Sequence, residues 1–187
     1  MQKRTTTILM AILLATISVV AISSTAYSQA KGEQDAVKMM LLPYDSFPTA
    51  ADFKKVAKDP RAQILAIYHA PESNELIRLQ ALDALSLFPN AEVRALYREI
   101  LSKDWQKVAP RATHRAINGL MHGFGASAVE EVAPLLAHSD VQIRLTVVHA
   151  LAKSGGESGR QVLLDHFDGE KNAVVREAIT RQTARLR

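Results

Sequence analysis

The feature that most constrains this chain is an arginine that returns at nearly constant spacing. Arg78, Arg111, Arg144 and Arg176 stand at steps of 33, 33 and 32 residues, each inside a segment of the same pattern (74–85, 107–118, 140–151 and 172–183). Three segments begin with Asn74, Asp140 or Asn172, four residues before the arginine. Asn and Asp are strong helix N-caps, because the side-chain oxygen accepts from a backbone amide that the helix leaves unpaired. After the first three, a second helical stretch is expected over 91–102, 126–137 and 158–167. A period near 33 is a helix-turn-helix unit, and such a unit buries its apolar face only by stacking on its neighbours. The expected fold is therefore all-α, an α-solenoid of about four stacked helix pairs.

Composition agrees with that reading. Aromatic residues make up only 5% of a chain that is 48% apolar, which favours helices packed through Ala and Leu over strands rich in aromatic and β-branched residues. Breaks are expected at Pro60, Pro71, Pro89-Asn90, Pro110, Gly123 to Gly125, Ser139-Asp140 and Gly155-Gly156, where Pro and Gly punctuate helices. Thr49, with Asp52 three residues on, reads as the first cap of the repeat domain, expected over 49–187. Residues 31–48 form a lead-in with a short helix expected over 34–42, interrupted by Pro43 and Pro48.

The first thirty residues read as a secretory signal. Lys3 and Arg4 precede an uncharged, mostly apolar run over 8–22, and Ser28-Gln29-Ala30 places small residues where a signal peptidase reads them. Cleavage before Lys31 and an exported chain, periplasmic or secreted, are the expectation; the run is short of the roughly 20 residues a spanning helix needs. Removing 1–30 takes two basic residues and no acidic one from totals of 23 and 19, leaving an excess of two. That is an ordinary solvated surface and gives no reason to expect a nucleic-acid partner. The chain has no cysteine, which excludes disulfides, thiol catalysis and thiolate metal sites.

The segment 139–156 joins an Asp cap, Ile143-Arg144, Ala150-Leu151 and the Gly155-Gly156 elbow. It resembles a HEAT repeat of the short bacterial, PBS-lyase-like type, and Gly123 and Gly125 mark the same elbow one unit earlier. The resemblance spans roughly 49–187 and departs at the third unit, where Lys107 replaces the cap and Pro110 precedes the arginine. It implies that Arg78, Arg111, Arg144 and Arg176 are structural, inter-repeat rungs working with the caps Asn74, Asp140 and Asn172. It also implies that second helices line a concave face, whose polar positions would be Arg94, Arg98, Glu99, Lys103, Glu130, Glu131, Arg160 and His166. This mixed-sign set suits a protein or peptide partner.

Candidate chemistry is sparse. Related HEAT proteins hold a di-iron centre through His-Glu pairs, but none of the six histidines here is followed by Glu. His114 and His149, on adjacent first helices, are the pair that can be expected to approach each other, and two histidines alone make a weak metal site. No serine elbow, phosphate loop or His-Glu-x-x-His motif occurs. Trp105 is expected to plug a gap between units. The final stretch over 172–187 carries four arginines and reads as a polar end cap, or as a basic helix for an anionic surface. The chain is thus expected to be a non-catalytic, exported, protein-binding scaffold without cofactor or metal. The alternatives are a metal-dependent or lyase-like factor, and an envelope structural protein held at the membrane by an uncleaved signal or the basic C-terminal helix.

Overall fold

The computed structural model describes residues 29–42, 47–102 and 109–184. Residues 1–28 of the expected signal segment, and Lys103, Trp105, Lys107, Arg185 and Arg187, lie outside them.

Helix α1 covers 29–40 rather than the expected 34–42, and so runs across the expected cleavage point before Lys31. It is followed by α2 (Ala50–Val56), α3 (Pro60–His69), α4 (Glu75–Leu85), α5 (Ala91–Ile100) and α6 (Pro110–Phe124). Then come the short α7 (Val129–Val132), α8 (Val141–Ser154), α9 (Gly156–Phe167) and α10 (Ala173–Ala184). No strand occurs among the described residues. The marker arginines fall on α4, α6, α8 and α10, and these first helices pack in a row, α4 on α6, α6 on α8 and α8 on α10. Helix α3 packs on α4, α5 on α6, and α9 on both α8 and α10. The architecture is an α-solenoid.

Caps set where each helix begins. Asn74 accepts from the Ile77 amide at 2.9 Å, Asp140 from Gln142 at 2.7 Å, and Asn172 from Val174 and Val175 at 3.0 and 3.2 Å. Thr49 and Asp52 form a reciprocal capping box. At α6 the cap position is Ala109, which makes no side-chain bond, and Pro110 follows. A proline at the first position needs no amide partner, so it starts the helix where no cap is present.

The second helix expected over 126–137 is instead three short pieces: a 3₁₀ turn over Gly125–Ala128, α7, and a 3₁₀ turn over Ala133–Ala137. Pro134 is the physical reason for the second break, since it has no amide to donate to the fourth carbonyl back. Gly125 turns the chain at φ 57°, a left-handed value that costs glycine little.

One core runs through the stack, including Ile77, Leu82, Ile117, Leu120, Val147 and Ile179. The lead-in joins it: Val37 and Leu41 are fully buried there, and the Glu33 carboxylate accepts from the Lys58 amide at 3.1 Å. Between the second and third units the closest fit is at Gly119. A Cβ there would stand 2.5–2.8 Å from the Tyr97 ring, whose hydroxyl donates to the Leu82 carbonyl at 2.6 Å.

Candidate interaction surface

The recurring arginines close the joints between helices, with one exception. Arg144 donates to the His138 and Ser139 carbonyls at 2.8 and 3.2 Å and grips the Glu170 carboxylate by two bonds, at 2.9 and 3.2 Å. Arg176 donates to the Phe167 and Glu170 carbonyls at 3.0 and 3.2 Å, with its guanidinium 4.2 Å over the Phe167 ring. Arg78 reaches the Ala70 carbonyl at 3.0 Å. In each case the acceptor includes the end of the helix before, where carbonyls lack intrahelical partners. Arg111 departs from the pattern: it is exposed and lies 3.8 Å from Glu75 of the preceding unit, making no bond to a helix end among the described residues.

Glu170 was not singled out by its sequence pattern, yet it is the most buried charge in the stack at 6% exposure. Burial pushes its carboxyl up, but Arg144, the Asn172 amide (2.7 Å) and His166 (3.4 Å) outweigh that and hold it down at about 2. At this register the third unit has Ala137 and the second has Asp104, which lies outside the described residues, so the periodicity gave no consistent signal for it.

The expected second-helix surface resolves into two groups. Arg94 and Arg98 on α5 both bind Glu131 on α7: Arg94 through Nε at 2.8 Å and also through Nη2, Arg98 through Nε at 2.6 Å. Arg94 also donates to the Ser127 carbonyl at 2.5 Å and lies over the Phe124 ring. Burial raises the Glu131 carboxyl and the two arginines lower it, with the net shift downward. Arg160 pairs with Glu157 at 3.3 Å, and His166 is committed to Glu170. What remains open to a partner is Arg98, still more than half exposed, with Glu99 and Glu130, both exposed.

Polar contacts on the first helices repeat the same logic. Asp83 meets Arg115 at 2.5 Å, His114 Nδ1 meets Thr146 at 2.7 Å, and His149 meets Gln182 at 3.0 Å. The separations are 32, 32 and 33 residues, one unit each. His114 and His149 therefore each reach forward to the next first helix rather than to one another. Burial lowers the His114 imidazole, against a smaller upward pull from Asp140. Among the described residues no group of three His, Asp or Glu side chains is placed to hold a metal, and no helix is long and apolar enough to cross a membrane.

Ser86 and His122 form a pair at 2.9 Å, but the serine hydroxyl also lies 2.6 Å from the Asp83 carbonyl, an acceptor only. The serine thus donates to the backbone and accepts from Nδ1–H, which is the reverse of what an activated nucleophile needs.

A cleft of about 390 Å³ opens among α3, α4, α5 and the start of α6. Its walls are Leu79, Leu82, Leu96, Ile100 and Ala112, and Tyr68, His69, Glu75, Arg78 and Glu99 stand around them.

Comparison with known families now bears on the stack. Residues 99–183 match the family model for HEAT repeats. That segment is similar to HEAT repeats. The match opens at the end of α5 and closes within α10, so it covers the last three marker arginines, including the uncapped third unit. HEAT repeats commonly act as protein-binding scaffolds and are typically non-catalytic. No curated protein and no solved structure matches this chain.

Proposed function

We propose that this chain is an exported, non-catalytic HEAT-like scaffold that binds a protein or peptide partner across its second-helix surface. Export rests on the basic start, the apolar run and the small residues ending at Ala30, with 1–30 removed and the mature protein periplasmic or secreted. The observation that carries the binding surface is the Glu131 bridge. By holding Arg94 and Arg98 together it ties α5 to α7 and keeps the second and third units at a set spacing. A partner then meets a platform that needs little ordering on binding. Arg98, Glu99 and Glu130 are its contact residues, and Arg94 is part of the frame.

Co-purification from the native envelope identifies the partner. Arg98→Ala with Glu99→Ala and Glu130→Ala is expected to weaken capture of that partner at least tenfold with unchanged helicity. Undiminished capture by the folded triple variant would discard this face. N-terminal sequencing of the exported form is expected to begin at Lys31; a chain beginning at Met1 would discard cleavage.

A further inference from the structure

Among the described residues, three arginines carry a buried Nε with no hydrogen-bond partner: Arg61, Arg78 and Arg160. Arg61 and Arg160 each hold a carboxylate through another nitrogen, Asp59 at 3.2 Å and Glu157 at 3.3 Å. Arg78 holds none among the described residues; its single bond is to the Ala70 carbonyl. The equivalent arginine two units on, Arg144, is saturated by Glu170 and two carbonyls. Asp104, at the register of Glu170, lies outside the described residues, and among them Arg78 lines a cleft with aliphatic walls. Tyr68, half-buried in its lining, has a hydroxyl without a hydrogen bond among the described residues.

We propose that this cleft is a binding site for a carboxylate on an aliphatic stem, with Arg78 as anchor and the Tyr68 hydroxyl as second donor. A guanidinium offers five donors, and a planar carboxylate is the acceptor that fills two at once. Leu79, Leu96 and Ile100 take the stem. The chemistry fits an acidic side chain or the C-terminal residue of a partner chain, and only in assigning that source does the site rest on the scaffold reading.

Two carboxylates of the protein lie at the same cleft and oppose an anion. Glu75 is exposed and offset by Arg111, so water and that cation weaken its effect. Glu99 is exposed too, so water screens it, whereas the Arg78 guanidinium lines the cleft from a part-buried position. Removing the Glu99 charge should therefore tighten the site.

The test is an NMR titration of the full chain with hexanoate, and with hexylamine as the cationic counterpart. Hexanoate is expected to shift the Arg78 Nε–H signal and the Leu79 and Leu96 methyls saturably, and hexylamine to leave them in place. Arg78→Gln should weaken hexanoate about tenfold or more, and Glu99→Gln should strengthen it. Ala112→Phe fills the cleft, leaves Arg78 intact and should abolish the shifts in a folded chain. The site is overturned if hexanoate gives no saturable shift, or if hexylamine binds equally. It is also overturned if binding appears only after Asp104→Asn. Asp104 stands 26 residues after Arg78, as Glu170 does after Arg144, and that outcome would mean that the chain's own acid occupies the anchor. Each of these failures leaves the second-helix surface standing, since its residues other than Glu99 are untouched by the experiment.

Discussion

Replacing Glu170 by Gln keeps the shape of the side chain and removes its charge, and the cost can be worked from the joint it occupies. The carboxyl falls from its ordinary 4.5 to about 2 in the folded protein. At 1.36 kcal/mol per unit, that is about 3 kcal/mol of stabilisation, in line with the ~3–5 kcal/mol lost when one partner of a buried ion pair is removed. Because the folded value is depressed, this stabilisation is fully present above pH 4.5 and is lost as pH falls towards 2. At neutral pH Glu170→Gln should lower the melting temperature by roughly 6–12 °C for a chain of this size. Urea denaturation followed by circular dichroism at a series of pH values is the assay. The gap between wild type and variant should narrow steadily from pH 4.5 to pH 2. A gap that stays constant with pH would show that the loss comes from packing and would refute the electrostatic account of this joint.

Two further substitutions probe the stack. Gly119→Ala puts a methyl into the Tyr97 ring and should cost about 1–3 kcal/mol; combining it with Tyr97→Leu should recover part of that loss in thermal denaturation, and a purely additive double variant would refute the contact. Ala109→Ser supplies the cap that α6 lacks and should raise stability by about 0.5–1 kcal/mol in the same measurement; a neutral or destabilised variant would count against an open cap.

What was legible in the sequence is what local chemistry decides. Asn74, Asp140 and Asn172 cap their helices as their positions imply, because a cap needs only its own next three residues. The arginine period told of stacking for the same reason, as it needs only the repeat. Partner choice across units is not local. Glu131 reads as an outward acid on a binding face, yet its neighbours one unit back are two arginines that claim it. Arg111 carries the marker position but finds no helix end to close on. Glu170 has Asp104 at its register in one earlier unit but Ala137 in the other, so the repeat alone does not pair it with Arg144. The glycines divide in the same way. Gly125 was legible as an elbow because its turn is a backbone matter, but Gly119 is explained by a ring from another helix.

The side-chain bonds that join units span no more than 37 residues of chain among the described residues, the longest running from Arg94 to Glu131. Folding such a molecule closes only short loops, which keeps its contact order low and its search brief. A unit emerging from a ribosome or a translocation pore has all its side-chain bonding partners as soon as the unit behind it appears. The stack can therefore assemble in step with its own delivery.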